Sequence, residues 1–206
     1  MNTNLRKTFG QITVALSTML ALAALTPRAF AQGGIPLWTN FYNGADYSSV
    51  TALAVDGSGN VVVTGSSSWN TSGWSYATIK YSGAGVPLWT NRYEGPANSD
   101  YTTAVTVDGG GNVFVAGRSY GGGGFNYDFA TIKYSSAGMA LWTNRYNGLG
   151  NGEDTPRAIA VDSSGKVFVT GGSWSGSHYD YATLAYSSTG VPLWTNRYND
   201  QAFPAA

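Results

Sequence analysis

Two kinds of hydrophobic pattern divide the chain. From Ile12 to Leu25 the residues form one nearly unbroken apolar run (ITVALSTMLALAAL). After residue 31 the apolar positions fall in short runs of four to six residues, rich in Val, Ile, Thr, Tyr and Trp. Clusters of Gly, Ser, Asn and Asp separate them. β-branched and aromatic residues suit a pleated, packed surface, and Gly, Asn and Asp suit tight turns. The second region therefore predicts many short strands joined by hairpins.

The strands repeat. LWTN occurs at 37–40, 88–91, 141–144 and 193–196, so that Trp38, Trp89, Trp142 and Trp194 are 51, 53 and 52 residues apart. Between them AVDGSGNVVVTG (54–65) matches TVDGGGNVFVAG (106–117) and AVDSSGKVFVTG (160–171). YATIKY (76–81) matches FATIKY (129–134) and YATLAY (181–186). Each unit supplies four strand positions, A to D: TALAV, VVVTG, YATIKY and LWTNRY in the first copy. Tight Gly-bearing turns join A to B and C to D, which makes all neighbours antiparallel. The turn Asp lies 9 residues before the strand-B Gly in every copy, and strand C begins 13 residues before the Trp. The B-to-C spacing varies as 11, 12 and 10, and the D-to-A spacing as 18, 19 and 20. In an antiparallel meander the fixed turns share one end and the variable loops the other. Recognition residues concentrate on variable loops over a rigid scaffold.

Strand C alternates Ala77, Ile79 and Tyr81 with Tyr76, Thr78 and Lys80, so neither side is clearly a solvent side. Sheets covered on both faces are expected in a β-propeller, whereas a sandwich leaves one face of each sheet wet. The expected fold is all-β: a propeller-like array of three four-stranded antiparallel blades, at about 50–93, 102–146 and 157–198. An extra N-terminal strand is expected at 36–42. The strings DYATLAYSSTGVPLWTNRYN (180–199) and AIAVDSSGKVFVTGGS (158–173), with their counterparts, resemble the SBBP β-propeller repeat of bacterial secreted and surface proteins. The A–B part is also similar to NHL repeats. The SBBP resemblance implies a fold and an extracytoplasmic setting, and it brings no catalytic motif. NHL repeats place the comparable strand innermost. Propellers have about four to eight blades, so three are too few to close a ring. The expectation is an open arc, an assembly of chains, or a fragment of a longer protein. The end at Gln201–Ala206 favours the last of these. Self-association through open blade edges is expected of an open arc.

The first region reads as a secretory signal peptide over residues 1–31. Arg6 and Lys7 form its basic start, the 12–25 run its core, and Ala29-Phe30-Ala31 a small-residue cleavage site before Gln32. The run is shorter than the ~20 residues a membrane span needs. The repeat domain is then 32–206, secreted or held outside the cytoplasm. Arg6, Lys7 and Arg28 precede the cleavage site and no acid does. The mature chain therefore carries 8 basic and 11 acidic residues. That balance argues against nucleic acid as a partner, since phosphate binding needs clustered bases. The absence of cysteine excludes disulfides, thiolate metal sites and a lipid-modified Cys.

Candidate chemistry is sparse. Asp56, Asp108 and Asp162 recur in the A–B turns, but each turn offers one carboxylate, too few for an EF-hand loop. They are expected to bond their own turns. Asp128 and Asp180 are expected to cap turns before strand C. Arg92, Arg145 and Arg197 are expected to pair with an acid or stack on an aromatic. The repeated tryptophans are expected to anchor blade packing. His178 is the only histidine, and no nucleophile elbow, P-loop, zincin or dinucleotide motif occurs. No catalytic, cofactor or metal residue is expected. The least repetitive aromatics, Trp69, Trp74, Tyr120, Phe125 and Trp174, fall with His178 in the B–C loops and are the candidate ligand contacts. The function expected is a non-enzymatic interaction or structural module. The alternatives are a carbohydrate-binding module and, behind it, a propeller hydrolase or lyase. A protein or glycan surface is the expected partner.

Overall fold

The computed structural model describes residues 35–44, 46–68, 73–122 and 126–199. The expected signal segment lies outside these residues, as do Trp69 and Phe125. The described residues form twelve strands and no helix. The first blade comprises β1 (Tyr47–Val55), β2 (Val61–Ser68), β3 (Trp74–Tyr81) and β4 (Pro87–Tyr93). The second comprises β5 (Asp100–Val107), β6 (Val113–Tyr120), β7 (Tyr127–Tyr134) and β8 (Ala140–Tyr146). The third comprises β9 (Asp154–Val161), β10 (Val167–Trp174), β11 (Tyr179–Tyr186) and β12 (Pro192–Tyr198). Each blade is a consecutive antiparallel meander. The three form an arc that is not closed. β1 lies against β5, and β5 against β9, with no comparable approach among β4, β8 and β12. The A strands therefore gather on the inside of the arc and the D strands on the outside.

Local sequence explains the strand ends and the irregularities. Each A–B turn closes on its Asp: Asp56 Oδ1 accepts from the Ser58 and Asn60 amides, both at 2.9 Å. Gly59, Gly111 and Gly165 then take φ values of 76°, 75° and 82°, which favour glycine. The strand-B glycines have another cause. Strands β1, β5 and β9 bulge opposite Gly65, Gly117 and Gly171. The bulge presses the carbonyls of Ser49, Tyr101 and Thr155 into the space a Cβ would fill.

The core lies between blades. The strand-C alternation sends Tyr76 of the first blade forward onto Val113, Val115, Ala130 and Ile132 of the second. Phe114 and Phe129 of the second reach forward onto Val167, Val169, Ala182 and Leu184 of the third. Each such large apolar side chain contributes about 1.5–3 kcal/mol on burial. Each blade thus has a forward face and a backward face, and both faces of the second blade are covered.

The D-strand motif joins the blades. In W-x-N-x-Y the three named residues share one side of the strand. Trp89 Nε1 donates to Ser136 O at 3.1 Å, and Trp142 Nε1 to Ser188 O at 3.3 Å, both in the next blade's C–D turn. Asn91 and Asn144 donate to Gly138 O and Gly190 O at 2.6 and 2.7 Å. The phenols of Tyr93 and Tyr146 accept from Arg145 and Arg197 of the next blade at 3.4 and 3.0 Å. Gly138 and Gly190 have positive φ and also lie under the indole, where a Cβ would be 2.7 Å from the ring.

The expected extra strand at 36–42 is corrected. No strand forms there, because a D strand pairs only with its own strand C and none lies beside it. The segment nevertheless makes every D-strand contact with the first blade. Trp38 Nε1 donates to Gly83 O at 3.1 Å, Asn40 to Gly85 O at 2.6 Å, and Tyr42 accepts from Arg92 at 3.3 Å.

Candidate functional site

The site at the B–C and D–A end of the blades rests on a buried polar node repeated in each blade. Arg197 of β12 crosses β11 to reach the end of β10. It donates to Ser173 Oγ at 2.6 Å, to Ser173 O at 3.1 Å and to Asp180 Oδ2 at 2.8 Å. Arg145 repeats this with the Ser119 hydroxyl, with Ser119 O at 2.9 Å and with Asp128 at 2.8 Å. Arg92 bonds Ser67 Oγ at 2.8 Å and Ser75 Oγ at 3.1 Å. Asp128 and Asp180 are therefore arginine partners rather than turn caps, since a charge-assisted bond outweighs a local turn bond. The expected pairing with an acid holds closely for Arg145 and Arg197, whereas Arg92 meets Ser75 at the matching position and reaches Glu94 only at 3.9 Å. Behind the node, Asp100 and Asp154 are fully buried. The Gly95 amide donates to Asp100 at 2.6 Å, and the Gly148 amide to Asp154 at 2.5 Å. Burial raises both carboxyls above the ordinary range, and the nearby serine hydroxyls and glycine amides only partly offset it. These acids and serines escaped the sequence reading, although their recurrence at fixed repeat positions was a usable signal.

Above the nodes an aromatic and charged belt runs across all three blades. Trp74, in the first blade, has its ring 5.8 Å from Tyr101. Tyr101 is 6.3 Å from Tyr127, which is 5.3 Å from Tyr120. The Arg118 guanidinium lies 5.0 Å from the Tyr101 ring centre and 4.7 Å from that of Tyr127. Each such cation–π contact contributes about 0.5–1 kcal/mol at a partly exposed site. Arg118 also pairs with Glu153 of the third blade at 2.5 Å. Tyr179 donates to Glu153 at 3.4 Å, and its ring is 5.1 Å from Trp174. Burial, with the Glu153 carboxylate, pushes the Tyr179 phenol up.

The expected contacts fare unequally. Trp74, Tyr120 and Trp174 belong to strand ends rather than loops, half-buried against neighbouring rings. The ladders extend further than the apolar strings suggested, because small Ser and Gly residues continue the pairing. His178 is in the β10–β11 loop as expected. Its Nε2 lies 3.0 Å from Asp180 Oδ1, and its Nδ1 is 2.8 Å from Ser177 Oγ, so it flanks the third node. The belt joins Trp74, Tyr120 and Trp174 through five residues not singled out by sequence: Tyr101, Arg118, Tyr127, Glu153 and Tyr179. One signal existed. Arg118 occupies a position where the other blades carry Ser66 and Gly172, and such departures from a repeat mark individual use.

The belt offers aromatic faces, phenol hydroxyls and one cation matched by one carboxylate. Such a set grips a flat polar ligand by stacking and hydrogen bonding. Among the described residues no group of three or more His, Asp or Glu side chains gathers as a metal site.

Residues 88–126 match the family model SBBP, a β-propeller repeat. No curated protein matches the sequence. One similar solved structure is a eukaryotic initiation factor, 10% identical with a TM-score of 0.50, over 79% of this chain and 35% of that one. Another is a gluconolactonase from Xanthomonas campestris, described as important in glucose secondary metabolic pathways. It is 13% identical with a TM-score of 0.47, over 79% of this chain and 51% of that one. The chain thus spans about half or less of the length of these structures. At 10% identity the first likeness concerns the fold alone.

Proposed function

We propose that this chain, which carries the SBBP-type β-propeller repeat, is an exported, non-catalytic interaction module that binds through its loop face. The belt from Trp74 through Arg118 to Trp174 supports the proposal, because it brings aromatic faces, a guanidinium and a carboxylate together along three neighbouring blades. The repeated nodes beneath hold the strand ends in place, which lowers the entropy lost on binding. Export rests on the residue pattern of 1–31. Cell fractionation with N-terminal sequencing tests it, and a mature protein beginning at Gln32 outside the cytoplasm is expected.

Carbohydrate is the more specific ligand class, since sugars stack on Trp and Tyr faces and bond to flanking carboxylates. A glycan array probed with the full chain tests this. Binding lost at least about tenfold in Trp174→Ala and Arg118→Ala supports it, since hot-spot losses exceed ~1.4 kcal/mol. An array with no glycan above background, alongside retention of an extracellular protein sensitive to the same substitutions, favours a protein partner. Turnover of a sugar lactone or glycoside by the purified chain would overturn the non-catalytic reading.

A further inference from the structure

The two interfaces inside the chain define what a forward face and a backward face need. A forward face supplies an aromatic at the first strand-C position, and the Trp, Asn and Tyr of strand D. Tyr76 and Phe129 fill the strand-C position and are 0% and 1% exposed. A backward face supplies apolar A, B and C residues, a C–D turn with free carbonyls, and an Arg. Val105 and Val107 pack in the first interface, and Ile159 and Val161 in the second.

Among the described residues one face of each kind is left uncovered. On the forward face of the third blade Tyr181 is 69% exposed, and Trp194 and Tyr198 are exposed as well. The Trp194 indole N–H and the Asn196 amide make no hydrogen bond among the described residues. On the backward face of the first blade Leu53 and Val55 are exposed, at the positions of Val105 and Val107. There the 36–42 segment holds the turn carbonyls of Gly83 and Gly85. It covers the face incompletely: a groove of about 320 Å³ remains, lined by Trp38, Leu53, Val63, Ile79 and Tyr81 among others.

We propose that a second copy of this chain docks head to tail, its first blade receiving the forward face of the third. Trp194, Asn196 and Tyr198 then make to Gly83 O, Gly85 O and Arg92 of the partner the bonds that Trp38, Asn40 and Tyr42 make within one chain. The 36–42 segment is an internal competitor for that place, so docking exchanges one set of latch bonds for an equivalent set. The net gain is burial of the two apolar faces. The new contact is weaker than the internal ones because it lacks their polar bonds. Ser66 Oγ accepts from Thr102 N, and Lys80 and Lys133 donate to Gly111 O and Ser188 O across the internal interfaces. At the matching positions the third blade carries Gly172 and Ala185. Docking is therefore reversible and concentration-dependent. Two copies bring six blades, within the range of closed propellers, and a rotation that fails to close gives longer chains.

Sedimentation velocity on the full chain over a range of concentrations tests this. Association is expected to fall at least about tenfold in Trp194→Ala/Asn196→Ala, and to rise in Trp38→Ala/Asn40→Ala, which frees the receiving face. The deciding experiment mixes two variants. Leu53→Glu blocks the receiving face and Tyr181→Glu the donating face, both at exposed positions, with thermal melts to confirm folding. Each alone is expected to be monomeric, and the mixture to form a 1:1 dimer and nothing larger, since one intact face of each kind remains. A mixture that stays monomeric overturns the proposal. So does either single variant that associates like the parent, or a Trp38→Ala/Asn40→Ala chain that associates no more than the parent.

Discussion

The second and third blades are built from nearly the same strands, yet they stand in opposite environments. FATIKY of the second is buried from end to end, and Phe129 within it is 1% exposed. YATLAY of the third holds the same ladder register, and its Tyr181 is 69% exposed. The ladder and turns of a blade are local properties, whereas the burial of its forward face belongs to whichever blade comes next. In the polar clasps the two blades part company even in sequence. Lys133 of the second reaches the third blade, and Ala185 replaces it in the third.

Four measurements break or sharpen this comparison. The largest effect is expected for Phe129→Ala, which empties a closed interface and costs about 3–5 kcal/mol in chemical denaturation. Tyr181→Ala in monomeric protein costs less than about 1 kcal/mol. Equal losses would sink the claim that the neighbouring blade sets the burial. Next is Lys80→Ala. Lys80 and Asp56 are both buried and lie 2.8 Å apart, so removing the cation strands a carboxylate and costs about 3 kcal/mol. The third blade needs no such lysine, because its turn carboxylate, Asp162, faces solvent more openly.

The third measurement is the pH dependence of the melting temperature. Burial opposes ionisation of Asp56, but Lys80 and the bonds from Asn60 and Ser58 outweigh it and hold the carboxyl well below its ordinary value. The stability it contributes is present above the unfolded-state pKa, about 3.9, and is lost as pH falls below that toward the folded value. Asp100 and Asp154 act with opposite sign. Their folded values are raised, so stability grows as pH falls through the raised values toward the unfolded one. The melting temperature is therefore expected to rise slightly on mild acidification and then to drop. Asp100→Asn removes part of the rise, and Asp56→Asn reduces the drop. A parent profile falling monotonically from neutral pH would contradict the assignment. The smallest effect is expected for Tyr76→Phe. Among the described residues the buried Tyr76 hydroxyl has no hydrogen-bond partner, and the second blade places Phe129 at the same position. The substitution is expected to stabilise by up to about 1 kcal/mol. A loss above that would reveal a bond to the hydroxyl.

The candidate site was less legible than the fold. Trp74, Tyr120 and Trp174 stood out as unrepeated aromatics. Their connection depends on Tyr101 and Arg118 of the second blade, which meet Trp74 of the first and Glu153 at the start of the third only after the blades pack. Arg118 and Glu153 lie 35 residues apart, and no local periodicity links them. The nodes were half legible. Repetition marks the arginines as pairing residues, but spacing points Asp128 and Asp180 to local turns, because it does not show an arginine arriving from the neighbouring strand 17 residues on.

The sequence by itself determined the four strands of each blade, their antiparallel order, the turn chemistry and the separation of fixed turns from variable loops. All of these rest on contacts between residues close in the chain, or on a motif copied three times. Only the tertiary structure decided that 36–42 serves as a latch without being a strand, and that the W-x-N-x-Y motif is a connector between blades. It also decided that two matching faces stand open, at the first blade and the third. Those outcomes depend on what lies beside a blade, and the third copy carries Tyr181, Trp194, Asn196 and Tyr198 just as the buried faces carry their counterparts, so the repeat alone does not tell a covered face from an open one.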